Sequence, residues 1–202
     1  EVTESKFPEI VKNIAIIYKQ LGQNDMALAA IETARASNPD DVGLIITAAN
    51  IYFELDDKEA FKLAMSEAIE KEPNNPVLYY NLGVVSGELG EKESARTYYE
   101  KSIELDPTNE NSYLNLVALI LDGEQEIVNE MNNLGTSRSD NLRYDELKIT
   151  REELYKECVP ILKDLIAISN DIEAIRTLMN IYGTLGDNPG YMEMKNLLDQ
   201  LQ

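Results

Sequence analysis

The sequence predicts an all-α fold in which antiparallel helix pairs are stacked in a row, and three observations support this. Pro39, Pro73 and Pro107 stand 34 residues apart, and Tyr18 and Tyr52 are separated by the same step. A fixed period of roughly 20 to 50 residues is typical of such stacked arrays, in which each unit packs only on its neighbours. Pro and Gly fall mainly at the repeat boundaries, so the segments between them have a composition that is typical of helices.

The first repeat shows how each unit is built. Pro8 is acceptable in the first turn of a helix whose apolar residues recur every three or four positions. Gly22 ends that helix, and a second helix, from about Asp25 to Ser37, carries small apolar residues that let antiparallel helices approach closely. Asp40 or Asp41 then caps the first helix of the next repeat.

The third repeat carries the most specific resemblance to a known family. Tyr79-Tyr80-Asn81-Leu82-Gly83, Leu89-Gly90, Ala95, the run from Tyr98 to Lys101, and Leu105-Asp106-Pro107 together resemble the tetratricopeptide repeat (TPR), which is two antiparallel helices in 34 residues. The resemblance implies a right-handed α-α superhelix. Phe61 departs from the family's usual alanine, which leaves the helix spacing in the second repeat open. The resemblance implies a single TPR domain over residues 1–202, with repeats near 8–41, 42–75, 76–109, 110–171 and 172–202, the last a short capping unit.

The fourth repeat departs from the period, because Tyr182 stands 28 residues later than the repeat length places it. Apolar residues continue at helical spacing past the expected turn near Asp122-Gly123. We therefore expect an insertion of about 28 residues, at about 122–150, that lengthens both helices of this hairpin. The alternative is a true break at Gly123, since glycine inside a helix costs about 1 kcal/mol. Pro160 lies in the returning helix and is expected to kink it.

Composition excludes several classes of function. The chain has no histidine, and Cys158 is its single cysteine. Imidazole bases, Cys–His nucleophiles, an intramolecular disulfide and cysteine-based zinc sites are therefore excluded, and we predict a non-enzymatic protein with no cofactor and no metal. With 37 acidic and 18 basic residues, nucleic acid and anionic membranes are not expected as partners. The acidity serves either solubility or the attraction of a basic partner. The longest apolar run, Leu116 to Leu121, is too short for membrane insertion.

The resemblance also implies where a partner binds. In TPR proteins the first helix of each pair lines a concave groove that holds a peptide or protein segment. Asn13, Thr47, Asn81 and Asn115 stand 34 residues apart, and we expect them to form a ladder of amides, interrupted by one hydroxyl, that binds an extended backbone. The alternative is that these side chains bond within the scaffold. Carried over by register, the groove positions are Lys12, Asn13, Ile16, Ile46, Thr47, Asn50, Tyr80, Asn81, Val84, Leu114, Asn115 and Ala118.

One known mode of TPR binding is not expected. Chaperone-binding members of the family hold a C-terminal carboxylate with asparagines and several basic residues. Lys12 matches one of those positions, whereas Ile16, Thr47, Val77 and Asn81 occupy the others. The sequence therefore predicts no carboxylate clamp, and a neutral or apolar segment in its place.

Two functions remain compatible with the sequence. The first is a protein–protein interaction scaffold that binds a peptide or protein segment in the groove. The alternative is a structural module that self-associates as a homo-oligomer through the long fourth-repeat hairpin or the exposed terminal helices. The stretch from Gly135 to Lys163 has six basic and six acidic residues, so it is either a neutral contact surface or a solvated hairpin.

The C-terminal stretch carries a second resemblance, to exported TPR proteins of Gram-negative bacteria, which have a lengthened penultimate repeat. This resemblance favours an exported or periplasmic location over a cytoplasmic one. The residues that carry it lie between Leu154 and Leu198, namely the run from Cys158 to Leu162, Ile181-Tyr182 and the run from Tyr191 to Lys195.

Overall fold

Eleven α-helices account for most of residues 8–201, which are the residues that the computed structural model describes. No β-strand occurs among these residues, so the predicted all-α fold of antiparallel helix pairs is confirmed. The helices are α1 (Pro8–Gln20), α2 (Asn24–Ser37), α3 (Val42–Glu54), α4 (Lys58–Lys71), α5 (Pro76–Glu88), α6 (Lys92–Leu105), α7 (Glu110–Ile120), α8 (Glu124–Asn133), α9 (Arg138–Ser169), α10 (Ile172–Leu185) and α11 (Asn188–Leu201).

Contacts divide the chain into two compact units, Glu1–Leu105 and Asp106–Gln202. The first unit contains three helix pairs, α1/α2, α3/α4 and α5/α6, and the second helix of each of the first two pairs packs on the first helix of the next. The predicted single domain and its repeat boundaries stay predictions.

The turns of the first unit follow from local chemistry. Gly22 and Gly90 adopt left-handed backbone conformations, with φ of 71° and 75°, at the turns inside the first and third pairs. Asp56 holds the same place in the second pair, with φ of 58°, although an L side chain disfavours that conformation. Of the two predicted caps of α3, Asp40 and Asp41, it is Asp41 whose carboxylate accepts a hydrogen bond from the backbone N–H of Leu44, at 3.0 Å.

Ion pairs join successive pairs of helices on the surface of the first unit. Lys19 of α1 forms an ion pair at 2.7 Å with Glu54 of α3, the first helix of the next pair. Lys62 contacts Glu91 at 2.6 Å between the second and third pairs. Pairs at the protein surface contribute about 0–1 kcal/mol each. The stability of the stack therefore comes mainly from its buried apolar residues, such as Ile31, Met65 and Leu78.

The second unit corrects the prediction for the fourth repeat. The predicted lengthening of its first helix is wrong, because α7 ends at Ile120 and Gly123, with φ of 93°, precedes a separate helix, α8. Glycine adopts this left-handed conformation without steric cost, which makes a break at this point favourable. The returning helix, α9, runs for 32 residues. It continues through Pro160 and contacts α7, α8 and α10.

Charged groups join the ten-residue helix α8 to α9, in addition to the half-buried apolar residues Ile127, Val128 and Met131. No residue of α8 is fully buried. Arg143 of α9 donates two hydrogen bonds to the carboxylate of Glu130, at 2.6 and 3.1 Å. At the other end of α8, Glu124 accepts hydrogen bonds from Arg151, at 2.9 Å, and from the hydroxyl of Tyr155. We therefore expect the attachment of α8 to depend on pH and salt.

No helix among residues 8–201 combines the length and the apolar character needed to cross a lipid bilayer. Within the same residues, no group of three His, Cys, Asp or Glu side chains is arranged to hold a metal ion.

Candidate functional site

A pocket of about 250 Å³ lies in the first unit, between helices α3 and α5. Helix α4 supplies one further side chain from the second helix of the middle pair. Four of the seven lining residues are positions that the sequence predicted for the groove, and three are not. The lining residues are Asn50, Phe53, Phe61, Tyr80, Asn81, Val84 and Val85.

Two phenylalanines form the aromatic part of this pocket. Phe61 is 4% exposed and belongs to the core of the second pair, whereas Phe53 is 43% exposed. Their ring centroids are 5.7 Å apart with the planes tilted by 57°, which is a favourable arrangement for two aromatic rings. Ala27 and Ala95 stand at the equivalent position in the first and third pairs. The middle pair therefore has an aromatic ring at a position where both neighbouring pairs have only a methyl group.

Tyr80 lines another side of the pocket and is supported by Tyr99. The two ring centroids are 6.2 Å apart. Tyr99 reaches this position because residue 83 is glycine: a Cβ atom there would lie 2.6 Å from two carbons of the Tyr99 ring. Gly83 thus allows close approach of α5 and α6, and this approach holds Tyr80 in place.

The polar groups of the pocket are the side-chain amides of Asn50 and Asn81. Within residues 8–201, neither amide forms a hydrogen bond, and both line the pocket, Asn50 being exposed and Asn81 half-buried. Thr47 differs, because its hydroxyl donates to the backbone oxygen of Gly43 at 2.7 Å. In the predicted ladder, Thr47 is therefore left as an acceptor only.

Three predicted groove residues lie on α1, away from this pocket. Lys12 is ion-paired with Glu9, its Nζ lies 4.0 Å from a carboxylate oxygen of Asp41, and its side chain is only 17% exposed. Ile16 is 43% exposed, and Asn13 is exposed as well. The single basic residue that matched a carboxylate clamp is thus already engaged by carboxylates of its own chain.

The remaining predicted positions are divided between the core and the second unit. Ile46 of α3 is half-buried and packs against the core of the middle pair. Leu114, Asn115 and Ala118 lie on α7, where Leu114 and Ala118 are exposed and Asn115 is half-buried. Their part in partner binding stays a prediction.

Sequence reasoning missed three of the pocket residues. Phe53 lies three positions after Asn50 on the same face of α3, so helical spacing alone was sufficient to find it. Val85 was assigned to no face. Phe61 had no such signal, because it belongs to a second helix, and second helices were not expected to reach the binding surface.

Comparisons with known proteins agree with this fold. The sequence profile of the family described as Tetratricopeptide repeat matches residues 13–41 and 77–109, and the two matches end two 34-residue periods apart. The chain resembles a crystal structure of MamA, with a TM-score of 0.63 and 15% identity over 95% of this chain and 89% of that one. It also resembles YrrB, described as a TPR protein with an unusual peptide-binding site, with a TM-score of 0.63 and 15% identity over 100% of this chain and 90% of that one.

A third solved structure is similar over part of the chain. It is the first TPR of Spaghetti (RPAP3) bound to the HSP90 peptide SRMEEVD, with a TM-score of 0.53 and 22% identity over 57% of this chain and 92% of that one. No curated protein matches the chain by sequence. The expected exported location stays a prediction. The profile matches in register identify tetratricopeptide repeats at residues 13–41 and 77–109, and the structural likeness over nearly the whole chain shows the same all-α fold of stacked helix pairs.

Proposed function

We propose that this protein is an interaction scaffold whose first unit binds an extended segment of a partner protein. One large apolar side chain of that segment enters the pocket of Phe53, Phe61 and Tyr80. The observation that carries the proposal is the combination in one pocket of an aromatic surface and two amides without partners. TPR proteins are generally non-enzymatic interaction modules, and this combination suits binding rather than catalysis.

The size of the pocket favours a side chain over a small molecule. Small-molecule sites usually measure about 300–1,000 Å³ and enclose most of their ligand. This pocket measures about 250 Å³ and is open to solvent on one side. A side chain the size of Leu or Phe contributes about 1.5–3 kcal/mol when it is fully buried. One such anchor supports specific but modest affinity.

The two amides suit the backbone of an extended segment. An amide side chain offers two N–H donors and a carbonyl acceptor, which match the groups of a peptide bond. Asn50 and Asn81 lie on the two helices that border the pocket. They are placed to bind the backbone beside the anchor residue whatever its sequence.

Charge favours a neutral or basic segment. The chain has a formal net charge of −19 at pH 7, and Lys12 is engaged by Glu9. YrrB is described by its peptide-binding site, and Spaghetti is bound to a peptide, so peptide binding suits this fold. The acidic sequence SRMEEVD is not expected to bind here, because like charges repel it.

Fluorescently labelled peptides test the proposal. One series carries a single Leu, Phe or Trp within a neutral or lysine-flanked segment, and SRMEEVD serves as the acidic comparison. We expect the apolar series to bind, and the Phe53→Ala variant to weaken that binding at least about tenfold, which corresponds to about 1.4 kcal/mol. Leu63→Ala is the matched control, because Leu63 is 73% exposed on α4 and lines no part of the pocket. Equal binding by Phe53→Ala, or tighter binding of SRMEEVD, would contradict the proposal.

Self-association is the second candidate function, and one observation favours it. Ile10 and Ile17 of α1 are 50% and 54% exposed, although both are large apolar residues. Leu142 and Ile149 of α9 are likewise 59% and 57% exposed, so the fourth-repeat hairpin is an equal candidate for this contact. A light-scattering mass that stays at the value of the monomer at every concentration would exclude this second function.

A further inference from the structure

The pocket of the first unit has a buried floor and a more exposed rim. Phe61 of α4 and Val85 of α5 form the floor, since both line the pocket and yet are only 4% and 1% exposed. The rim includes Phe53, which is 43% exposed, and the amides of Asn50 and Asn81, which are exposed and half-buried. Phe61 is the larger of the two floor residues, so its ring limits how far a side chain can enter.

The ring of Phe61 has little room to move aside. Phe61 belongs to the same core cluster as Met65 and Leu82, which are 0% and 1% exposed. Its ring centroid lies 5.7 Å from that of Phe53, with the two planes tilted by 57°. Because protein interiors are closely packed, a ring that lies between a filled core and a second ring stays in one position. The depth of the pocket is therefore fixed by the fold.

The equivalent place one repeat earlier has neither phenylalanine. The residues 34 positions before Phe53 and Phe61 are Lys19 and Ala27. Lys19 is ion-paired with Glu54 at 2.7 Å, and Ala27 is 0% exposed. Neither residue offers an aromatic surface to a partner. An aromatic floor within the first unit is thus a property of the middle pair, and it comes from the single change of alanine to phenylalanine.

We propose that Phe61 determines the specificity of the pocket, by selecting a branched aliphatic anchor, Leu or Ile, over the longer side chains of Phe and Trp. The amides of Asn50 and Asn81 at the rim bind the backbone of the segment, while the ring of Phe61 contacts the end of the anchor. The distance from rim to floor therefore sets the length of anchor that satisfies both contacts. A longer anchor meets the floor before the backbone reaches the amides, and those hydrogen bonds are lost.

This inference rests on the proposed peptide binding and adds to it the size of the anchor. One methylene group too many or too few in an apolar pocket changes recognition by about 10- to 200-fold. Trp exceeds Leu by more than one such group, but this pocket is open to solvent on one side. We therefore expect discrimination at the lower end of that range, about tenfold.

Fluorescence anisotropy tests the proposal with four labelled peptides that differ only in a single Leu, Ile, Phe or Trp. The wild-type chain should bind the Leu and Ile peptides at least about tenfold more tightly than the Trp peptide. In Phe61→Leu and Phe61→Ala the floor lies deeper, so the affinity for the Trp peptide relative to the Leu peptide should rise at least about tenfold. Phe61→Leu is included because it leaves a smaller void in the core than Phe61→Ala.

Met65→Ala is the matched control. Met65 is 0% exposed and lies in the same core cluster, but it lines no part of the pocket. The variant should therefore lose stability and keep the wild-type order of peptides. Circular dichroism verifies that each variant is folded. If Met65→Ala changes the order as much as the Phe61 variants do, loosening of the core rather than the floor is responsible, and the proposal is overturned.

Benzene provides a second measurement that needs no peptide. An apolar void left by a missing side chain stays dry and binds small apolar molecules. Benzene should therefore raise the midpoint of thermal unfolding of Phe61→Ala and not that of the wild-type chain. If Phe61→Ala does not respond, neighbouring side chains have filled the place of the ring, and the fixed floor is overturned.

The peptide results separate this inference from the proposed function. Equal affinity of the wild-type chain for the Leu and Trp peptides, or an unchanged order in both Phe61 variants, overturns the selection by Phe61 but not peptide binding by the pocket. If no peptide binds the wild-type chain, the proposed function fails and the selection fails with it.

Discussion

Replacing Gly83 by alanine is the sharpest test of how the pocket is supported. The new Cβ atom would lie 2.6 Å from two ring carbons of Tyr99, far closer than ordinary van der Waals contact. Tyr99 is 5% exposed, so its ring has little room to move away. Gly87 of the same helix provides the control: a Cβ there meets only the hydroxyl of Tyr99, at 3.8 Å, and the Cβ of Ala95, at 3.9 Å.

The magnitude follows from the difference between the two variants. Both gain about 1 kcal/mol of helix propensity on changing Gly to Ala, so this contribution cancels. Overpacking of a filled interior costs about 1–3 kcal/mol. We therefore expect Gly83→Ala to be less stable than Gly87→Ala by about 1–3 kcal/mol in urea unfolding followed by circular dichroism.

A double-mutant cycle assigns the cost to the ring. Tyr99→Leu introduced with Gly83→Ala should recover about 0.5–3 kcal/mol of the loss, because the branched side chain leaves space for the new methyl group. Gly83→Ala alone should also weaken binding of the apolar peptides, since Tyr80 lies against the displaced Tyr99 ring. If Gly83→Ala proves as stable as Gly87→Ala, the close contact between α5 and α6 does not constrain the pocket and the reasoning is refuted.

Three further predictions concern the turns, the α8 contact and the thiol. Asp56→Gly should stabilise the chain by about 0.5–1 kcal/mol in urea unfolding, because Asp56 has φ of 58°; a loss of stability would contradict this. A hydrogen bond from Arg143 lowers the pKa of Glu130 below its ordinary value of 4.5. The ionised carboxylate therefore stabilises the contact between α8 and α9 above pH 4.5, and this stabilisation is lost as the pH falls through the lowered pKa. Hydrogen exchange of α8 amides, corrected for intrinsic rates, should accelerate in that range, and Arg143→Gln should remove the dependence. Burial raises the pKa of Cys158 to about 12, so iodoacetamide at about pH 8 should modify it only after unfolding in urea, and rapid modification of the folded chain would show that the thiol is accessible.

Much of the fold was predictable because it depends on local rules repeated at a fixed distance. The spacing of Pro39, Pro73 and Pro107 marks the helix pairs, and the structure places a turn at each of them. The cap of α3 was predicted as Asp40 or Asp41, because a cap needs only a local carboxylate, and the structure shows that it is Asp41. The fourth repeat was less predictable, since apolar spacing continues on both sides of Gly123 and does not report the left-handed backbone that separates α7 from α8.

The order of residues along the chain was enough to predict the repeats, the helix pairs and the general face on which a partner is expected. Tertiary packing was needed to establish which of those residues share a pocket, because Phe61 reaches it from a second helix and Tyr80 is held by a tyrosine 19 positions away in the chain. The folded structure likewise showed that Lys12 is engaged by acidic groups. Helix pairing depends on periodic local signals, whereas a pocket depends on which side chains from different repeats meet, and that is set by packing rather than by spacing.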